Sequence, residues 1–105
     1  MVLTQGWRMT SRTGGYTFEW DTAKALANVR KHRVTFDEAT TAFADPLALL
    51  IPDPDHSRDE MRYLVLGMSL RRRLLVVAFA ERPPRTRLIS ARRASRAEWR
   101  RYEQG

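Results

Sequence analysis

The side chains in this sequence that could do chemistry are basic and acidic groups suited to a phosphate. The candidates lie in several separate segments of the chain: Lys31, His32, Glu60, Arg62, Arg82 and Arg92. Arginine binds phosphate oxygens in pairs through its planar fork. Histidine, carboxylate and lysine groups can move protons. Such a set can hold the scissile phosphate of RNA and stabilise the phosphorane that forms when a 2′-hydroxyl attacks.

Two interpretations of the arginines remain open. Glu60 and Arg62 lie two residues apart at a predicted strand start, so they share a face. A charge in an apolar strand is costly unless it is paired or faces an open groove. Either strand pairing brings Arg62, Arg82 and Arg92 together as a phosphate site, or Arg62 and Arg82 form structural ion pairs with Glu60 and Glu81.

The positive charge of the chain lies in its C-terminal third. The 105 residues carry a net charge of +7, and residues 71–105 hold eleven arginines against three glutamates. This pattern favours a polyanionic partner, although it is also compatible with a solubilising face. Further arginines are expected to contact RNA: Arg71, Arg72, Arg73, Arg85, Arg87 and Arg93.

Composition excludes several classes of site. The chain has no cysteine, which excludes disulfides, zinc–thiolate sites and thiol catalysis and fits a reducing, cytoplasmic location. No apolar run approaches the roughly 18 residues that span a membrane. The acidic segment around His56 matches no recognised metal spacing, so neither a metal nor another cofactor is expected.

Element signals predict one small α+β domain over residues 16–105 after a flexible lead-in, residues 1–15. YTFEW (16–20) predicts a strand, and Asp21 caps a helix that ends at His32. Thr35-x-x-Glu38 is typical of a capping box and starts a second helix.

Short apolar segments follow, and their tight turns predict an antiparallel meander. They are LALLI (47–51), MRYLVLGM (61–68), LLVVAFAE (74–81) and TRLIS (86–90). Ser95-x-x-Glu98 is a further capping box, and Trp99 and Tyr102 are expected to anchor the last helix. The predicted order is β-α-α-β-β-β-β-α, a mainly antiparallel sheet with helices packed on it.

Together these blocks resemble the BrnT toxins of type II toxin–antitoxin systems over residues 16–103. The blocks are FEWDTAKALANVRKHRVTFDEATTAFADP, DHSRDEMRYLVLG, LLVVAFAER and RLISARRASRAEWRRYE. The resemblance implies a RelE-like fold and a metal-independent ribonuclease that inhibits translation and growth. It also implies an antitoxin partner, BrnA, with a ribbon-helix-helix part, so that operator DNA is bound only through the antitoxin.

The resemblance places the family's motifs on the candidate residues: Lys31, His32, Glu60, Arg62, Arg82, Ser90, Ala91 and Arg92. The family commonly has glycine after Lys-His, where this chain has Arg33. A glycine there would end the helix in the left-handed conformation. We expect Arg33 either to adopt that conformation at a cost of roughly 1 kcal/mol or to give the joint another shape. His32 is then either catalytic or a helix-terminal histidine that bonds the last carbonyls.

Two alternatives to a ribonuclease toxin remain. One is a non-catalytic nucleic-acid-binding or co-repressor subunit, which would bind in a salt-sensitive manner without forming a cleavage product. The other is a decayed toxin that keeps only its antitoxin-binding role.

Overall fold

A computed structural model describes residues 8–13, 15–53 and 60–105. Six strands and three helices follow one another in the order β1 (Arg8–Thr13), β2 (Tyr16–Asp21), α1 (Thr22–His32), α2 (Phe36–Ala42), β3 (Leu49–Pro52), β4 (Arg62–Met68), β5 (Leu74–Arg82), β6 (Arg85–Arg93) and α3 (Arg96–Gln104). The predicted α+β order is confirmed from β2 onward.

Strand β1 lies within residues 1–15, for which the sequence predicts a flexible lead-in. β1 pairs antiparallel with β2, from Arg8 opposite Asp21 to Thr13 opposite Tyr16. Its sequence, RMTSRT, has no alternation of apolar residues, so it carries no strand signal of its own. Backbone hydrogen bonds to β2 define this strand. Residues 1–7 and 14 lie outside the described residues.

All six strands form one sheet in the order β1-β2-β6-β5-β4-β3. Strands β3 to β6 pair antiparallel, as the short turns predict, and β2 joins β6 in parallel. Strand β5 therefore lies in the interior of the sheet. Its first four residues are buried on both faces, which explains its continuous apolar sequence.

The two faces of the sheet carry separate apolar clusters. On the α1/α2 face, side chains such as Phe18, Val77 and Phe79 pack against α1 and α2. On the α3 face, Leu66 and Val76 form a smaller cluster that Tyr102 of α3 covers. Helix α3 has no buried residue of its own.

Asn28 fixes α1 to the free side of β6. Its Nδ2 donates to the carbonyls of Ala91, at 2.8 Å, and Val34, at 2.9 Å, while the N–H of Ala91 donates to its Oδ1 at 3.1 Å. Strand β2 pairs with β6 only as far as Arg87, so the backbone of Ala91 has no strand partner on that side. The Asn28 amide bonds the N–H and the carbonyl of Ala91 in its place. It also holds the start of the α1–α2 joint.

The joint itself depends on a strained residue and a cap. Arg33 has φ 61° and ψ 31°, the left-handed conformation, and its N–H donates to the carbonyl of Val29 at 2.9 Å. Thr35 Oγ1 accepts from the N–H of Glu38 at 3.0 Å, as predicted. The reciprocal half of the capping box is absent from this helix start, because the Glu38 carboxylate bonds instead to Ser69 Oγ, at 2.7 Å, and to Arg73.

The last helix begins with a complete capping box between Ser95 and Glu98. The Tyr102 hydroxyl donates to Asp45 Oδ2 at 2.6 Å, and this bond anchors α3 to the segment after α2. Trp99 is 38% exposed and contacts Tyr102 edge-on. The expectation that both aromatics anchor the helix is therefore right for Tyr102 and wrong for Trp99.

Arg33→Gly should stabilise the fold. Glycine adopts the left-handed conformation without strain, and this gain exceeds the extra entropy of the unfolded chain, for a net of about 0.5–1 kcal/mol. Urea unfolding measures the difference. Arg30→Gly is the matched control, because it lies within α1 and should lose about 1 kcal/mol. An Arg33→Gly protein no more stable than the parent would contradict this assignment of strain.

Candidate functional site

Lys31 and His32 line a surface depression between α1 and β6. The depression has a volume of about 230 Å³ and is lined by Lys24, Ala27, Asn28, Lys31, His32, Ile89 and Ser90. The α1 residues recur at intervals of three and four, so one side of the helix forms one wall. His32 is half-buried against this depression. Its two predicted roles, catalysis and bonding to the last carbonyls of the helix, stay predictions.

A β-bulge shapes the opposite wall. Ala78 of β5 pairs with Ser90, and Phe79 pairs with Leu88, so Ile89 is the extra residue in β6. Bulges redirect side chains and are frequent beside active sites. Here the bulge falls at the residues that contact α1 across the depression. The sequence TRLIS gives no signal of it.

Glu60 joins Arg62 and Arg82 in one ion-pair cluster. Its Oε1 accepts from Arg82 Nε at 3.0 Å, and its Oε2 lies 3.8 Å from a terminal nitrogen of Arg62. Half of the Arg82 side chain is exposed. Glu81 takes no part, because it accepts from the Thr86 hydroxyl at 3.0 Å. The interpretation as structural ion pairs is therefore right for Glu60 and not for Glu81. The cluster remains partly exposed to solvent.

Arg92 is held by a carboxylate of α3. Two parallel hydrogen bonds of 2.9 Å join its terminal nitrogens to the Glu98 oxygens. The hydrogen bonds from Arg92 lower the pKa of Glu98 to about 2, against burial, which alone would raise it. The same hydrogen bonds raise the pKa of Arg92. Glu98 also caps α3, so the start of the helix and this guanidinium are positioned together.

Strand register shows which arginines lie close together. Arg62 and Arg87 both lie opposite Ala80, one on each side of β5. Arg92 lies opposite Val76, four residues from Ala80, a separation of about 13 Å along the strand. The expectation that Arg62, Arg82 and Arg92 lie together is therefore wrong for Arg92. Arg62 and Arg82 lie together through Glu60, Arg87 shares the row of Arg62, and Arg92 lies apart, nearer to Ser90.

These positions define a line of arginines along the α3 face, which we call the arginine track: Arg62, Arg82, Arg87 and Arg92. Small side chains lie between them on the same face: Ala78, Ala80 and Ser90. Arg87 lies 4.0 Å from the buried carboxylate of Glu19, which holds its position. Such a surface can follow a nucleic-acid backbone over several phosphates.

The remaining predicted RNA-contacting arginines divide into two groups. Arg73 is structural: it donates to Glu38, whose side chain is only 3% exposed, and to the carbonyl of Arg33. The hydrogen bond from Arg73 is the largest influence that lowers the pKa of Glu38. Exposed side chains belong to the others: Arg71, Arg72, Arg85 and Arg93. Spacing within the run RRR could not show which of its members turns inward.

Two further findings bear on the site. Asp55, His56 and Asp59 lie outside the described residues, so the interpretation of that acidic segment stays a prediction. None of the helices in the described part of the chain is long and apolar enough to cross a membrane.

Comparison with known protein families shows the family to which the chain belongs. The model of the family described as "Ribonuclease toxin, BrnT, of type II toxin-antitoxin system" matches residues 20–98. This chain belongs to the BrnT family. The match runs from the end of β2 into α3 and includes both walls of the depression and all of the arginine track. Comparison with individual curated proteins gave no match.

Membership of the BrnT family has two direct consequences. The chain is a ribonuclease toxin by family, and a type II toxin–antitoxin system implies an antitoxin as its partner. The resemblance seen in the sequence is therefore confirmed, while the roles of individual residues in BrnT chemistry remain to be assigned.

The Arg92–Glu98 pair should make BrnT stability depend on acid pH. The pKa of Glu98 is about 2 in the folded state against an ordinary 4.5, so the pair stabilises the fold above pH 4.5. That contribution is lost as the pH falls from 4.5 through 2. With solvent screening it amounts to about 1–2 kcal/mol.

Urea unfolding of the parent and Glu98→Gln proteins across this pH range measures that contribution. The parent should be the more stable protein at neutral pH, and the difference should shrink at low pH. The other carboxylates titrate equally in both proteins, so their contributions cancel in the difference between the two free energies of unfolding. A difference that does not change with pH would contradict the assignment.

Proposed function

We propose that this BrnT chain is a metal-independent endoribonuclease that cuts RNA at the depression between α1 and β6. Through this activity it inhibits translation and growth in the cytoplasm. The observation that carries the proposal is the convergence of Lys31 and His32 with Ser90 in one depression, on the strand that also bears Arg87 and Arg92. Ser90 lines the depression and also lies on the face of the sheet that carries Arg92, so the proton-transfer groups border the phosphate-binding groups.

The proposed chemistry is attack by the 2′-hydroxyl on the adjacent phosphorus. His32 accepts the proton of the 2′-hydroxyl as the oxygen–phosphorus bond forms. Lys31 and Arg92 bind the non-bridging oxygens, where negative charge builds up in the transition state. The bond to the 5′-oxygen then breaks, and Lys31 gives that oxygen a proton. The products are a 2′,3′-cyclic phosphate and a 5′-hydroxyl end.

These cations supply the positive charge that a metal ion provides in other nucleases. No metal ligand is therefore needed in the proposed reaction. Ser90 bonds to the substrate or orients Lys31 rather than acting as the nucleophile, because the ribose provides its own hydroxyl.

Arg62, Arg82 and Arg87 of the arginine track bind the flanking phosphates, while Arg92 binds the scissile phosphate. Arg62 and Arg82 exchange their bonds to Glu60 for bonds to phosphate oxygens, and Arg92 exchanges those to Glu98. Both kinds of partner accept charge-assisted hydrogen bonds, so the guanidinium groups keep bonds of the same kind. Glu60 and Glu98 keep the guanidinium groups oriented when RNA is absent. The track thus fixes the register of the strand while the depression performs the chemistry.

We further propose that an antitoxin with a ribbon-helix-helix part neutralises the chain. Operator DNA would then be bound through the antitoxin, and BrnT itself would contact DNA only as part of that complex. The strong excess of arginine in the last third of the chain supports a partner with acidic character at the track.

Purified protein should cleave a single-stranded RNA in excess EDTA. His32→Ala and Lys31→Ala should each lower the rate at saturating RNA about 100-fold or more, because each removes a group used in the transition state. Arg30→Ala is the matched control, since Arg30 lies on the same helix turn but does not line the depression. It should cleave like the parent.

Several results would overturn the proposed site. Equal rates for all four proteins would exclude the depression, and cleavage that EDTA abolishes would exclude a metal-independent reaction. Tight RNA binding without product at any protein concentration would instead favour the non-catalytic binding subunit.

Arg62 and Arg82 of the arginine track should act on binding more than on the chemical step. Arg62→Ala and Arg82→Ala should weaken RNA binding and each reduce the dependence of log affinity on log salt by about 0.7. Titration of labelled single-stranded RNA at several salt concentrations measures the slope. Arg101→Ala, an exposed arginine in the last turn of α3, serves as the comparison. Unchanged affinity and slope for both track variants would remove the track from the RNA site.

A further inference from the structure

A second cavity lies on the α1/α2 face, away from the arginine track. It has a volume of about 360 Å³, and four aromatic rings and an exposed leucine dominate its walls. We call it the aromatic pocket, formed by Tyr16, Phe43, Tyr63, Phe79 and Leu50, with Glu81 at its rim. The proposed RNA chemistry makes no use of it.

The walls of the aromatic pocket are preformed. Phe43 lies at the centre of the ring cluster, 5.4 Å from Tyr16 and 5.0 Å from Phe79 between ring centroids. Tyr63 stacks on Phe79 at 5.6 Å. Rings fixed in this way do not collapse into the space, so an apolar ligand group can enter without first reorganising the pocket.

One wall of the pocket is continuous with an open sheet edge. Strand β3 is the last strand of the sheet in the described part of the chain. The N–H of Asp53 donates to the carbonyl of Arg62 at 3.0 Å, and in an antiparallel ladder every second residue bonds inward. Leu49 and Ile51 therefore bond to β4. The backbone groups of Leu50 point outward, as does the carbonyl of Pro52.

The side chain of Leu50 is also available. It lies opposite Val65, on the α1/α2 face, and 62% of it is exposed at the mouth of the pocket. A strand added along β3 would pair with the outward N–H and carbonyl of Leu50. It would place alternate side chains over the pocket.

Charge identifies the kind of partner. Of the residues that line the pocket in the described ranges, none is Lys or Arg, although the whole chain carries nineteen of them. Two are carboxylates: Asp45, which the Tyr102 hydroxyl and the N–H of Met68 already occupy, and Glu81. A polyanion would be repelled here. An apolar side chain with a neighbouring Lys or Arg fits both the rings and the Glu81 carboxylate.

We infer that the aromatic pocket and the outer edge of β3 form an antitoxin-docking surface. An extended segment of the antitoxin adds a strand to β3, inserts a large apolar side chain among the rings and places a Lys or Arg beside Glu81. The inference rests on the toxin–antitoxin function proposed above. The pocket shares no lining residue with the depression and lies on the face of the sheet opposite the arginine track, so this contact anchors the antitoxin without itself covering the RNA site.

The test uses the purified chain and the product of the reading frame adjacent to it in its own operon. Leu50→Gln removes the apolar group, and Leu50→Pro removes the outward N–H. Each should raise the Kd of the complex, measured by calorimetry, at least about 10-fold. Leu26→Gln is the matched control, because Leu26 is 58% exposed on α1, and its Kd should stay within about 2-fold of the parent.

RNA cleavage by each free protein is measured in parallel and should equal that of the parent, since Leu50 lies outside the proposed RNA site. Circular dichroism confirms folding, and Leu50→Gln decides the matter if the proline variant does not fold. Absence of cleavage by the parent would count against the ribonuclease proposal alone.

Four results would overturn the inference. The first is an unchanged Kd for the Leu50 variants, and the second is a parent chain that does not bind the adjacent gene product. The third is a Leu50 variant that loses RNA cleavage but keeps its antitoxin affinity, which would make RNA the occupant of the pocket. The fourth is a parent dimer in light scattering that Leu50→Pro abolishes while antitoxin affinity is kept, which would make a second copy the occupant.

Discussion

The three hydrogen bonds of the buried Asn28 amide are the interaction on which the candidate site depends. Strand β6 continues past the end of β2, and its backbone at Ala91 would lack a partner there without Asn28. By satisfying both groups of Ala91, the amide places α1 alongside the bulge in β6. Because Lys31 and His32 follow Asn28 by about one helical turn, the same bonds bring them to Ser90. A side chain of fixed length thus sets the width of the depression.

A second constraint concerns the α3 face, where carboxylates must orient the guanidinium groups while leaving them accessible to a ligand. Glu60 and Glu98 hold the guanidinium groups of Arg82 and Arg92, and both of these arginine side chains are partly exposed. Arg73 shows the contrasting arrangement, in which a deeply buried carboxylate, Glu38, ties the β4–β5 turn to α2. Arginines of similar sequence context therefore differ in role according to the burial of the acid that pairs with them.

The sequence was sufficient for features that depend on neighbours in the chain. Asp21, Thr35 and the Ser95 capping box act through residues three positions away, and local motifs predict such contacts well. The sequence was insufficient where a residue distant in the chain determines the position of a side chain. The Glu38 side chain leaves its expected local bond for a group thirty-five residues away. The position of Arg92 relative to Arg62 could not be known either, because strand register and the bulge in β6 determine it.

The central claim is that the depression of this BrnT chain promotes attack by the ribose 2′-hydroxyl. Mass spectrometry of the ends formed when purified protein cuts a defined RNA in excess EDTA tests it most directly. The account predicts 2′,3′-cyclic phosphate and 5′-hydroxyl ends, and no cleavage when the nucleotide at the cut carries a 2′-deoxyribose. Products with 3′-hydroxyl and 5′-phosphate ends would contradict it, because they require attack by water.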